Sequence, residues 1–303
     1  MAEQVENLRL AVVQPRVIEG APESDRVAEA VRYIAEAAET GAQLVLFPEG
    51  YPGPLRIDST YDAAGPIAEA CRERGVAACW SRVEAVEGSW RKVAHITGAD
   101  GTELLRYERL HPATGDVHPT LSGTHLSPGG RLGSAEVAGV RVGVLICSEL
   151  WVPEVARSLA VEGAELILGP AGGGFHRVAP NWQLITRARA IENQCYVAMT
   201  QHLFGDEEGA ALIAGPEQIE GSLTEAGLFT ADLDLNRVRW LRETDDSMEE
   251  PKQFDSLPGL LRMRRPEMYA ELTRERDGLY DYFDPPPVPE ELLLPGAFRG
   301  SDD

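Results

Sequence analysis

Residues 141–154 read RVGVLICSELWVPE, and the first seven form an apolar run with one charge at its head. A short run rich in β-branched residues predicts a strand buried on both faces. Pro153 cannot continue a strand but suits the first turn of a helix, so a helix is predicted over 153–162. The unit is strand, turn, helix, and Cys147-Ser148-Glu149 falls in the turn.

The same alternation extends toward the N-terminus. Residues 8–14 (LRLAVVQ) form an apolar run ended by Pro15. Ser24 is the candidate cap of a helix whose Val27, Ala30, Val31, Ile34 and Ala38 recur at helical spacing until Gly41. Residues 44–47 are a second strand, stopped by Pro48. A helix over 66–74 and a strand over 76–80 follow. Runs 92–97 and 103–107 flank Gly98-Ala99-Asp100-Gly101 and predict a hairpin. Residues 108–133, rich in Pro, Gly, Ser and Thr, predict a long loop, and such loops are often functional. Toward the C-terminus, strands are expected at 166–168, 195–200, 210–214 and 227–233, and a helix at 181–193. Alternating strands and helices with hairpins imply an α/β layered fold. Residues 284–289 (DPPPVP) suit neither helix nor sheet, so an extended arm over the surface or a partner subunit is expected.

Composition narrows the function classes. The chain of 303 residues carries a net charge of −21, with 43% hydrophobic and 25% charged residues. An acidic surface repels phosphate backbones and anionic membranes, so neither nucleic acid nor membrane is an expected partner. Cys71, Cys79, Cys147 and Cys195 match no zinc spacing and no CxxC pair, and no metal is implied. The start, residues 1–6, has no basic or apolar leader segment, so a cytoplasmic location with reduced thiols is expected. Lys92 and Lys252 are the two lysines of the sequence.

Two strand ends carry candidate chemistry. Glu49, in LVLFPEGYP, follows a buried strand directly and lies where α/β sheets gather their sites. Alone it reads more readily as a solvated loop carboxylate. Cys147 ends the 141–147 strand and could be a nucleophile on a sharp turn, although a free cysteine is commonly a small buried hydrophobe.

Together the two segments resemble the nitrilase, or carbon–nitrogen hydrolase, superfamily. LVLFPEGYP is similar to its catalytic-glutamate motif, and RVGVLICSELWVPE to its nucleophile motif. WQLITRARAIENQCYVAMTQ (182–201) resembles its Ala-Arg-Ala-x-Glu-Asn helix and the next strand. LFTADLDLNRVRWLR (228–242) resembles its late strand, and RRPEMY (264–269) a common ending. The ordered set implies a four-layer αββα sandwich over residues 1–270, followed by a Pro-rich arm over 271–303. It also implies hydrolysis of a non-peptide C–N bond through a Cys147 thioester, with Glu49 as base. No organic cofactor is implied, and a homodimer or larger homo-oligomer is. The substrate would be a small amide, preferred over a nitrile because Cys147-Ser148-Glu149 lacks the Cys-Trp-Glu of the nitrilase branch. The spacing from Arg109 to Asp116 keeps the nitrile open.

One position departs from the family. Its lysine, in a segment like Tyr-Arg-Lys-x-His, is replaced here by Arg109 in Tyr107-Glu108-Arg109-Leu110-His111. Arginine keeps the charge but is bulkier and serves poorly as a proton relay. Three readings stay open: Arg109 stabilises the oxyanion, or it binds a substrate carboxylate, or the site is inactive. Lys92 is the less favoured substitute cation, since a strand lysine is usually solvated. Asp116, Glu149, Phe175, His176 and Trp182 are the expected substrate contacts. Glu149 has a rival role in tying down the turn, and Asp116 one as a solvated loop residue. Two rival functions remain: acyl transfer or a lyase-like step on the same cysteine, and a binding protein with a dead site.

Overall fold

The computed structural model describes residues 5–117, 125–173, 178–243, 260–285 and 287. Two six-stranded mixed sheets face each other. The first sheet has the order β12-β1-β2-β3-β4-β5. Its strands are β1 (Asn7–Gln14), β2 (Leu44–Leu46), β3 (Ala77–Val86), β4 (Ser89–Thr97), β5 (Glu103–Glu108) and β12 (Gly227–Asp234). The second sheet has the order β11-β10-β9-β8-β7-β6. It comprises β6 (Gly133–Val137), β7 (Val140–Val144), β8 (Leu166–Gly173), β9 (Tyr196–His202), β10 (Ala211–Ala214) and β11 (Ile219–Leu223).

Three apolar clusters give the layers. Leu8, Leu10, Val12, Leu44 and Leu46 of the first sheet meet Val142, Val144, Leu168, Ala198 and Ile213 of the second, all fully or nearly fully buried. Alternate residues of the same strands face outward. Ala11, Val13 and Val45 pack under α1 (Asp25–Glu39) and α2 (Ala64–Arg74) through Tyr33, Ile34 and Ile67. Leu145, Ile167 and Val197 pack under α4 (Pro153–Val161) and α5 (Ala179–Asn193) through Val155, Leu159 and Ala190. The runs are continuously apolar because both faces are covered. Each fully buried aliphatic side chain adds about 1.5–3 kcal/mol. The order helix, sheet, sheet, helix is the αββα sandwich that the family resemblance implies.

Several local features differ from expectation. Ser24 stands at the cap position of α1, but its side chain makes no capping hydrogen bond. The 98–101 turn joins β4 to β5 as expected, with Val93 opposite Glu108. β3 runs on to Val86, longer than its apolar run suggests. The segment before residue 141 contains an unforeseen hairpin, β6–β7, turned by Ala138 and Gly139 at φ +49° and +78°. The residues after β12 form α6 (Leu235–Arg242), capped by the Asp234 carboxylate accepting from the Arg237 N–H. The expected loop includes a single helical turn, α3 (Thr114–Val117).

Candidate active site

Glu49 stands three residues beyond β2. It is buried, and its backbone N–H donates to the Ala171 carbonyl at 3.1 Å, which ties it to the opposite sheet. Gly172 is small by necessity, because a Cβ there would approach the Glu49 Oε2 to 3.0 Å. Cys147 begins a 3-10 turn three residues beyond β7 and takes φ +55°, a left-handed conformation that a non-glycine residue holds only at a cost of about 1–3 kcal/mol. That turn swings the thiol out of the strand line.

Two cations converge on Glu49. Lys92 Nζ lies 2.9 Å from Glu49 Oε1, and Arg109 Nη1 lies 2.8 Å from the same oxygen. Asp116, on α3, completes the group: its Oδ1 is 2.9 Å from Lys92 Nζ and its Oδ2 is 2.9 Å from Arg109 Nη1. Arg109 also donates from Nη2 to Ser148 Oγ at 2.5 Å and from Nε to the His111 carbonyl at 3.0 Å. With 1% of its surface exposed, this guanidinium has its fork filled by protein partners, which leaves little of it for a substrate carboxylate.

The register explains how the cations meet. Lys92 shares the face of Ala94 and Ile96 on β4, the face turned to the second sheet. The Arg109 N–H donates to the Lys92 carbonyl at 2.9 Å, so the two residues are cross-strand neighbours just beyond β5. Reading Lys92 as a solvated strand residue is thereby corrected: it is part of the charged cluster.

Burial opposes every charge here, and the partners decide the outcome. For Lys92, desolvation lowers the ammonium's hold on its proton, but Asp116 and Glu49 outweigh it and raise the pKa. For Arg109 the same contest, won by Glu49 first and then Asp116, again raises it. Burial likewise works against the Asp116 carboxylate, yet Lys92 and Arg109 hold its pKa below the ordinary range. The Cys147 thiol is different. Burial and then the Glu49 charge push it up to about 12, against weaker opposition from Arg109 and the Gly172 backbone. A thiol with its pKa raised in this way is protonated at neutral pH.

Glu149 lies outside this group. Fully buried, it accepts at Oε1 from the Leu110 and His111 N–H groups at 2.8 and 3.0 Å, and at Oε2 from Ile146 N–H at 2.6 Å. The Tyr107 hydroxyl donates to both oxygens, at 2.9 and 2.8 Å. Burial and the neighbouring Glu149 push that phenol far above its usual range, so it stays a donor. This carboxylate laces the end of β5, in one sheet, to the end of β7, in the other. Its oxygens are taken by protein donors, an arrangement that suits the rival role of tying down the turn.

Trp182, also an expected substrate contact, belongs to the outer apolar cluster. It is buried in the outer core with its ring edge-on to Trp151 at 5.7 Å, where helical spacing aligns it with Ile185 and Thr186. Arg189, on the same helix, donates to the Leu150 carbonyl at 2.9 Å and steadies the turn after Cys147. Phe175 and His176 lie outside the described residues. From the C-terminal segment, the Tyr282 ring meets His111 edge-on at 6.3 Å, so the described part of the arm packs beside the Arg109 loop. Among the described residues, no cluster of three or more His, Cys, Asp or Glu is arranged to hold a metal, and no helix is long and apolar enough to cross a membrane.

Known proteins share this arrangement of sheets. The carbon–nitrogen hydrolase family model matches residues 9–243. The chain is similar to the human omega-amidase NIT2, with 27% identity over 256 residues that cover 78% of this chain and 92% of that protein. The omega-amidase NIT2-B of Xenopus laevis is 29% identical over 255 residues, covering 78% and 91%. Among solved structures, an amidase from Nesterenkonia sp. superposes with a TM-score of 0.68 at 23% identity, covering 88% of this chain and 96% of that one.

Proposed function

The chain belongs to the carbon–nitrogen hydrolase family, and from that premise we propose that it hydrolyses a small amide through a thioester on Cys147, with Glu49 as base and Lys92 and Arg109 as a joint cation. The observation that carries the proposal is the sharing of Glu49 Oε1 by Lys92 Nζ and Arg109 Nη1, at 2.9 and 2.8 Å. Similarity to proteins named as amidases favours an amide over a nitrile.

The reaction follows from the charges. Lys92, Arg109, Glu49 and Asp116 sum to zero at rest. Sγ of Cys147 attacks the amide carbon as its proton passes to Glu49, and the carbonyl oxygen takes the negative charge. Protonating Glu49 leaves two cations against Asp116 alone, a net positive charge that appears just as the oxyanion forms. The C–N bond then breaks, Glu49 returns the proton to the leaving nitrogen, and ammonia or an amine departs. Water attacks the thioester and gives a proton to Glu49. The C–S bond breaks, the carboxylic acid leaves and the thiolate recovers that proton. The retained base and nucleophile count against a site reduced to binding.

The test measures ammonia release from short aliphatic amides and the matching nitriles. Cys147→Ala is expected to lose about 10⁴-fold or more in kcat. Lys92→Met is expected to lose about 10²–10³-fold, with the fold intact by circular dichroism. Wild-type turnover in Lys92→Met would remove Lys92 from the mechanism. Release of product from nitriles alone would overturn the amide assignment.

A further inference from the structure

Behind Glu49 lies a cavity of about 230 Å³. Its walls come from the segment after β1, from α1, and from Tyr51 and His202. The Glu49 carboxylate points toward Lys92 and Arg109, whereas its backbone carbonyl accepts from His202 Nε2 at 3.0 Å. The Glu49 backbone therefore separates this cavity from the charged cluster.

Polar and apolar groups divide the lining unevenly. Pro15, Val17, Ile18 and Pro22 supply an apolar wall. Asp25 lines the cavity from an exposed position, while Arg16 donates to the Gly205 carbonyl, Arg32 pairs with Glu29 and Glu36, and Glu29 accepts from the Tyr51 hydroxyl at 2.9 Å. Arg26 differs from these: its Nη1 is buried and, among the described residues, has no hydrogen-bond partner. A buried guanidinium nitrogen left unpaired costs more than an unpaired neutral donor, and an anion relieves the cost. The apolar wall selects an organic anion over a strongly hydrated inorganic one. His202 is held neutral, its pKa pushed down to about 4 by burial and by the Arg26 charge, so Nε2 stays a hydrogen donor to Glu49.

We propose that this cavity binds a small aliphatic carboxylate at Arg26, and that its occupation reaches Glu49 through His202 and Tyr51. The acid released by amide hydrolysis belongs to that chemical class, so the effect on turnover, though not the binding, rests on the proposed function. A ligand here touches His202, which holds the Glu49 carbonyl from behind, and Tyr51, whose ring lies 5.7 Å from that of His202. It changes the placement of the Glu49 carboxylate, and therefore kcat, without competing for the nucleophile.

Calorimetric titration of butyrate tests the site, with inorganic phosphate as a second probe. The expected result is saturable butyrate binding that weakens at least tenfold in Arg26→Leu. It should weaken equally in Ile18→Trp, which fills the cavity from its exposed rim and leaves the guanidinium in place. The titration is repeated in Cys147→Ala, where binding is expected to persist whether or not the chain is an amidase. In kinetics, butyrate should change the wild-type kcat, and this effect should vanish in Arg26→Leu. Undiminished butyrate binding in either cavity variant overturns the site. Phosphate binding tighter than butyrate overturns the carboxylate assignment. A butyrate effect on KM alone, identical in wild type and Arg26→Leu, overturns the link to Glu49.

Discussion

Cys147 starts its turn in a left-handed backbone with its thiol pushed up to about 12, burial and Glu49 being the causes. A raised thiol pKa leaves the neutral form dominant below the shifted value, so the reactive thiolate grows only as pH climbs toward it. Peptide-resolved alkylation with iodoacetamide is therefore expected to speed up about tenfold per pH unit from 7 to 9 at Cys147. A rate already flat at pH 7 would mean a preformed thiolate and a different role for Glu49. Much of this level was legible in the sequence. Glu49 and Cys147 each follow an apolar run directly, and a strand end fixes where a side chain emerges. Arg109 was legible as a cation in the right segment, but not the geometry that fills its fork. Lys92 was underweighted because its role depends on pairing. Only the β4–β5 register, Val93 opposite Glu108, puts it beside Arg109. Its alternation with Ala94 and Ile96 was the available signal, since it marks an inward face.

Secondary-structure elements meet at Glu149. It binds the loop after β5 and the turn after β7 at once, so the two halves of the site keep their spacing through one carboxylate. Glu149→Gln replaces an acceptor oxygen with an NH2 group facing N–H donors. The expected cost is about 2–4 kcal/mol in denaturant unfolding, with a fall in kcat larger than the change in KM. Unchanged stability and unchanged kcat would show that the brace is dispensable. Here the sequence was less informative. The β6–β7 hairpin went unread because Ala138 occupies a left-handed turn position where Asn or Asp is the usual signal. Helix α6 was hidden for another reason: Asp234 ends β12 and also caps the helix, so strand and helix share one continuous stretch.

For the molecule as a whole, α/β layering was readable from continuous apolar runs, while the pairing of two separate six-stranded sheets came from the family resemblance. Periodicity shows that a strand is buried, but not which sheet it joins. The surface offers one more consequence. Between α4, α5 and the C-terminal segment lies a cavity lined by Leu260, Met263, Tyr269 and Leu272, with Met263, Met268 and Leu272 well exposed. Apolar exposure of this kind marks protein contact surfaces, and light scattering is expected to give at least twice the 33.0 kDa chain mass. A monomer at micromolar concentration would contradict that. The sandwich also serves to bring Cys147, from the second sheet, against Glu49, Lys92 and Arg109, from the first. Acyl-enzyme trapping tests that meeting most directly. Protein quenched in acid during turnover of a short amide is digested and weighed by mass spectrometry. The account predicts a thioester adduct of the acyl group's mass on the Cys147 peptide, absent from Cys147→Ala. Steady ammonia release by Cys147→Ala, with no adduct in the wild type, would contradict it.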